Sequence, residues 1–254
     1  MEVIVKPTYD EVSKLAAGMI AEFLRCKPRA VLGFATGSTP LGTYKELIRL
    51  HREEGLDFSQ AVTFNLDEYI GLPKDNDQSY HYFMWENLFK HINVLEANVH
   101  IPDGMSEDLH RHCLEYEEEI FDHGGLDVQL LGIGSNGHIA FNEPGSSLGS
   151  RTRIKTLDEK TRQDNARFFK SIDEVPRYCL TMGIGTILEA EKLILLANGA
   201  NKAEAVQKTV EGPITASVPA SAIQLHPNAT VIVDKAASGK LTRKYPGAPA
   251  MLDL

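Results

Sequence analysis

Two groups of side chains in this 254-residue sequence have types and spacing suited to proton transfer: the pair Asp67-Glu68, and Asn136-Gly137-His138 with Glu143 five residues beyond the histidine. A histidine near a carboxylate can be held in one tautomer and tuned to exchange protons near neutral pH. A turn histidine also serves purely structural ends, so both readings stand at this point. Asp67 and Glu68 follow the apolar run 61–66. A carboxylate there can be desolvated enough to act as a base, and a helix cap or surface pair is the alternative.

Anion binding has its own candidates. Thr36-Gly37-Ser38-Thr39 joins an apolar run to a helical stretch, so free backbone N–H groups and the helix dipole favour a phosphate there. A plain N-cap turn, with Thr39 as the cap, is the alternative reading. The GK[ST] ending of a nucleotide-binding P-loop is absent. Gly132, Gly134 and Gly137 satisfy a literal GxGxxG, but Asn142, Pro144 and Gly145 interrupt any helix that would have to open on them, which excludes a dinucleotide fingerprint. His110 and His112, with His123 nearby, do not share a helix face, so no metal is expected. Tyr82, Phe83, Trp85 and Phe89 read as packing residues of a helix, without the basic patch that base stacking needs.

The elements that position these residues alternate. Thr8 and Glu11 suggest a capping box for a first helix that ends before Pro28. Apolar runs at 30–34, 61–66, 128–133, 193–197 and 230–233 read as buried strands, and helical stretches are expected near 40–54, 80–91, 107–122 and 202–211. This pattern predicts an α/β fold: a single open, mostly parallel, Rossmann-like sheet with helices on both faces, as one domain over residues 1–254. Four polar segments directly follow predicted strands: Thr36 to Thr39, Asn65 to Glu68, Gly134 to His138, and Asn198 to Lys202. Ligands of open parallel sheets bind beyond the carboxyl ends of the strands, so one composite pocket is expected. The Gly-, Ser-, Arg- and Lys-containing stretch 145–176 departs from the sheet pattern, as a cover over the site or as an ordinary surface connection.

Composition narrows the classes of function. Acidic residues (35) outnumber basic ones (26) for a formal charge of -9, which disfavours nucleic acid and anionic membranes as partners and asks any anionic ligand to find a local basic pocket. No signal peptide or membrane-length apolar run is apparent, and Cys26, Cys113 and Cys179 are widely spaced, so a cytoplasmic protein with buried, unpaired cysteines is expected.

Taken together, Phe64 to Pro73, Ser79-Tyr80-His81 and Gly137 to Pro144 resemble the glucosamine-6-phosphate deaminase family. The resemblance extends to Ala35 to Pro40, Ser150 to Thr156, Met182 to Thr186 and Val210 to Pro213, and so covers nearly the whole chain. It implies a cofactor-independent enzyme that converts glucosamine 6-phosphate to fructose 6-phosphate and ammonia. By resemblance, Asp67 carries a proton between C2 and C1 of the opened sugar, and His138, oriented by Glu143, assists ring opening. The phosphate grip falls on Thr36, Gly37, Ser38, Thr39, Arg167 and Lys202, the stretch 145–176 corresponds to a mobile lid, and Ser146, Arg153 and Lys155 match an allosteric phosphosugar site of hexameric relatives. A homo-oligomer is therefore one possibility. Asn136 stands where some family members carry aspartate, which leaves Glu143 alone to supply charge to His138. The nearest rival, a 6-phosphogluconolactonase-like hydrolase, typically continues its turn as Gly-His-Thr-Ala-Ser; here it reads Gly-His-Ile-Ala-Phe-Asn-Glu. A sugar-phosphate-sensing module without turnover is a third reading.

Overall fold

Short runs of consecutive apolar residues can be buried on both faces only within a layered sheet. The computed structural model, which describes residues 1–166 and 169–245, has that arrangement. Strands β1 (Glu2–Lys6), β2 (Val31–Phe34), β3 (Val62–Asn65), β5 (Val99–His100), β6 (Val128–Gly132), β9 (Lys192–Ala197) and β10 (Ala229–Asp234) form a parallel sheet in the order β1-β10-β9-β6-β2-β3-β5. A second sheet, antiparallel and in the order β4-β8-β7, joins β4 (Asp67–Tyr69), β7 (Arg153–Thr156) and β8 (Tyr178–Thr181). This small sheet was not signalled by apolar runs.

Period-two alternation sends neighbouring residues of each central strand into opposite layers. Leu193 and Leu195 of β9 point to one face and Ile194 and Leu196 to the other. On the first face they meet α4 (Leu109–Asp122), α6 (Ile184–Leu188) and α7 (Ala203–Val210), through residues such as Tyr116, Ile187 and Val206. On the second they meet α1 (Tyr9–Cys26), α2 (Leu41–Glu54) and α3 (Tyr80–Asn87), through Ile20, Leu47 and Met84. Each such side chain contributes about 1.5–3 kcal/mol on burial, so truncating Leu195 to alanine is expected to cost about 2–5 kcal/mol. A further helix, α5 (Glu159–Asn165), lies in the excursion between β7 and β8.

From β2 the chain moves outward to β3 and β5, then returns to place β6 on the other side of β2 before continuing to β9 and β10. The loops after β2 and β6 therefore diverge at a topological switch point, where an open crevice is expected.

Several local expectations are revised. Thr39 does not cap α2: the helix starts at Leu41, and the phenol of Tyr9 in α1 accepts the Gly42 N–H (2.8 Å) while donating to the Thr39 carbonyl (2.8 Å). A tertiary contact does the work assigned to a local hydroxyl. The stretch 80–91 divides into α3 and a separate 3-10 turn at Phe89–His91, and Tyr82 is exposed. Asp67 and Glu68 do not extend β3; they open β4, in the other sheet. Cys113 and Cys179 are buried, but Cys26 is exposed, because as the last residue of α1 it falls off the buried stripe that ends at Leu24. The capping box forms in a modified way: the Glu11 N–H donates to the Thr8 hydroxyl, which donates in turn to the Glu11 carboxylate.

Candidate active site

The loops at the switch point surround a cavity of about 530 Å³. Thr36, Gly37, Ser38 and Thr39, Lys202 with Asn198 and Asn201, and Asp67 and His138 all line it. The Lys202 segment is set by Gly199, whose φ of 87° suits glycine and whose N–H donates to the Asp234 carboxylate at the end of β10 (3.0 Å). Thus the strand ends of the large sheet supply hydroxyls, backbone N–H groups and an ammonium to the cavity.

The histidine turn is compact. The Gly134 N–H donates to the His138 carbonyl (2.9 Å) and the Gly137 N–H to the Gly134 carbonyl (3.0 Å). Gly134 is required by close approach: a Cβ there would lie 2.2 Å from Cε1 of His138. Ala140 is the one non-glycine residue with positive φ among the described residues (48°), a mildly strained backbone that brings Phe141 and Asn142 back toward the small sheet.

Behind His138 lies Glu143, which does not line the cavity but faces the imidazole, with Oε2 3.4 Å from Nδ1. That separation is an ion-pair contact and is long for a hydrogen bond. Asn136 closes the arrangement from both ends: its Nδ2 donates to Glu143 Oε2 (2.8 Å) and its Oδ1 accepts the His138 N–H (3.2 Å). The hydroxyl of Thr161 donates to Glu143 Oε1. Burial alone would raise the Glu143 carboxyl, but His138, Thr161 and Asn136 together hold it below its ordinary value.

Asp67 is buried to a similar degree, yet its carboxyl is pushed well above the usual carboxylate range, first by burial and then by the neighbouring Glu68 charge. The Glu68 carboxylate turns away to accept the backbone N–H groups of Tyr69 (2.8 Å), Tyr80 (2.9 Å) and His81 (2.8 Å), so it clamps the start of α3. Burial pushes the Glu68 carboxyl up to about 7, against the pull of these three donors.

One junction fixes Asp67 and His138 relative to each other. Asp67 pairs with Thr181 in the small sheet. The Met182 N–H donates to the Leu66 carbonyl (2.7 Å), the Met182 carbonyl accepts from Asn142 Nδ2 (2.8 Å), and the Thr181 hydroxyl accepts the Phe141 N–H (3.1 Å). The loops carrying the carboxylate and the histidine are therefore tied to the same two residues.

Of the residues expected in the site, the cavity gathers Thr36, Gly37, Ser38, Thr39, Asp67, His138 and Lys202, with Asn136 and Glu143 supporting the histidine. Arg167 lies outside the described residues. Ser146, Arg153 and Lys155 do not line the cavity; Ser146 is buried, and Arg153 and Lys155 share one side of β7. His112 accepts the Asp103 N–H through Nε2 (2.8 Å), a structural use. Tyr80, Thr161 and Asn165 also line the cavity and were not expected there. For Thr161 and Asn165 the available signal was two polar residues four apart on a helix of the excursion, which places them on one face.

The family described as glucosamine-6-phosphate isomerases/6-phosphogluconolactonase matches residues 6–232. The chain is 55% identical over 238 residues to a glucosamine-6-phosphate deaminase of Thermoanaerobacter pseudethanolicus, covering 94% of each chain. It is 54% identical to that of Alkaliphilus oremlandii, over 95% of this chain and all of the other. Among solved structures, a monomeric glucosamine-6-phosphate deaminase superposes with a TM-score of 0.93 at 51% identity, covering 94% of this chain and 99% of that one. A 6-phosphogluconolactonase of Trypanosoma brucei gives 0.76 at 23% identity, over 95% and 98%, a likeness of fold alone.

Proposed function

The chain belongs to the glucosamine-6-phosphate isomerase/6-phosphogluconolactonase family, and from that premise we propose that it isomerises and deaminates glucosamine 6-phosphate, giving fructose 6-phosphate and ammonia. The observation that carries this reading is the convergence of a buried base, a carboxylate-backed histidine and an anion-binding rim on one cavity.

In this reading the phosphate sits at the rim of Thr36 to Thr39 and Lys202, where N–H groups and a cation satisfy its oxygens despite the acidic chain. Anchored at its far end, the sugar presents C1 and C2 to the interior, and the remote binding energy goes into orientation. His138 moves the proton between the anomeric hydroxyl and the ring oxygen, which opens the pyranose. The imidazolium formed in passing is stabilised by Glu143. Asp67 then takes the proton from C2 of the amino aldehyde and returns it to C1. With a second proton passing from the C2 amine to the C1 carbonyl oxygen, the aldehyde becomes the C1 hydroxyl and the amine an imine, and addition of water at C2 expels ammonia and leaves the ketone. Desolvation suits Asp67 to this task, because a carboxylate with a raised pKa is the stronger base toward a carbon acid.

The fold also carries lactonases, but the turn here continues into Phe141-Asn142-Glu143, and the Glu143 carboxylate is hydrogen-bonded within the histidine turn. Purified protein given glucosamine 6-phosphate in the presence of a chelator is expected to release ammonia and fructose 6-phosphate in equal amounts. Folded protein that releases neither across pH 5–9, or that instead hydrolyses 6-phosphogluconolactone, would overturn the reading.

A further inference from the structure

Helix α5 belongs to neither sheet, yet it sends two polar side chains into the site. Asn165 Nδ2 donates to the Tyr69 hydroxyl (2.8 Å), and one turn earlier the buried Thr161 donates its hydroxyl to Glu143 Oε1. The two oxygens of Glu143 are thereby divided between two parts of the molecule. Oε2 serves the histidine turn, with Asn136 Nδ2 at 2.8 Å and His138 Nδ1 at 3.4 Å, while among the described residues Oε1 is held from the excursion.

A glutamate's last torsion is broad, so a carboxylate held through one oxygen can swing, and the Nδ1 contact is already long enough for a small rotation to break it. A hydroxyl that donates to the second oxygen removes that freedom. It also favours the charged carboxylate. If α5 needed only packing at this position, valine would fill the volume without a buried hydroxyl to satisfy.

We propose that Thr161 is a positioning residue, whose hydroxyl fixes the Glu143 carboxylate in the orientation that aligns His138, so that ring opening depends on α5 being seated. The inference rests on the functional reading above. Among the described residues, His138 of the same turn acts on Glu143, and burial, with the charges of Asp67 and Glu143, holds the Cys179 thiol of β8 well above its ordinary value.

The test is a set of variants assayed with glucosamine 6-phosphate. Thr161→Val is expected to lower kcat by roughly tenfold to a hundredfold, the loss of a hydrogen bond to a charged group, with KM within about twofold. Thr161→Ser is expected to restore kcat to within about threefold of the parent, because it returns the donor. In a Glu143→Gln background the valine substitution should change kcat by less than about twofold, since residues acting through one another are not additive. Parental kcat in Thr161→Val, a serine variant as poor as the valine one, or an undiminished effect in the Glu143→Gln background would each overturn the inference. If the parent protein releases no ammonia, the functional reading fails separately. The coupling is then read by carboxyl NMR, where Thr161→Val moves the Glu143 titration to higher pH if the hydroxyl stabilises the carboxylate and leaves it in place if it does not.

Discussion

Asp67 and Glu143 are shielded almost equally, 5% and 6% exposed, the first lining the cavity and the second standing behind His138, yet their environments drive them in opposite directions. Asp67 enters β4 from the apolar end of β3, with Glu68 as its charged neighbour, and its carboxyl is raised. Glu143 sits in a turn dense with donors and is lowered, although burial acts on it too. Depth of burial therefore does not assign the role; the supply of hydrogen bonds does. A pair of carboxyls pushed apart in this way suits the proposed division of the chemistry, with Asp67 as the base for carbon and Glu143 as the charge behind the histidine.

The largest effect that could break this comparison is at Asp67. Asp67→Asn keeps the shape and removes the base, so kcat is expected to fall by about 10²- to 10⁴-fold with phosphosugar affinity nearly unchanged. Loss of binding together with kcat would make Asp67 a structural residue. Glu143→Gln should cost less, roughly tenfold to a hundredfold in kcat, because the amide can still accept from Asn136 or Thr161 while the charge behind His138 is gone. Equal losses in the two variants would erase the division of labour.

Much of this contrast was legible in the sequence. Apolar runs ending in polar residues placed Thr36, Asp67, His138 and Lys202 at neighbouring strand ends, and parallel-sheet topology then brings such ends together. The junction at Thr181 and Met182 was not legible, because its links to Leu66 and Asn142 run through backbone groups that any residue carries. The small sheet stayed hidden for a related reason: β7 is Arg-Ile-Lys-Thr and β4 is Asp-Glu-Tyr, strands defined by pairing and not by apolar runs. Thr161 and Asn165 sit in the stretch whose polar composition suits a cover over the site and a surface connection equally, so it did not single them out as lining the cavity.

Stability against pH offers a smaller effect with opposite signs at the two sites. Asp67 binds its proton more tightly folded than unfolded, so folding loses stability as pH rises through the ordinary carboxylate value near 4 toward the raised one. Asp67→Asn removes that cost and should melt higher than the parent at neutral pH, with the gain vanishing near pH 4. Glu143 has the reverse linkage: its contribution is present above the ordinary value and lost as pH falls through the lowered one. Glu143→Gln should therefore melt lower at neutral pH, with the deficit shrinking in acid. At this chain length each kcal/mol moves the melting temperature by roughly 2–4 °C, which scanning calorimetry resolves. Parallel profiles for the two variants would show that the carboxyls share one environment after all.

The smallest expected change sharpens the Glu143 side alone. Asn136 donates to Glu143 Oε2 and so supports its charge without competing for the histidine proton. Asn136→Asp replaces that donor by a second carboxylate at hydrogen-bonding distance. Two carboxylates so close cannot both stay ionised without cost, and the pair then titrates jointly, with one member raised. The Glu143 titration, followed by carboxyl NMR, should accordingly move to higher pH in the variant, while that of Asp67 stays where it is. A shift of both would mean that Asp67 and Glu143 are electrostatically coupled, and a shift of neither would mean that the Glu143 charge does not depend on the Asn136 donor.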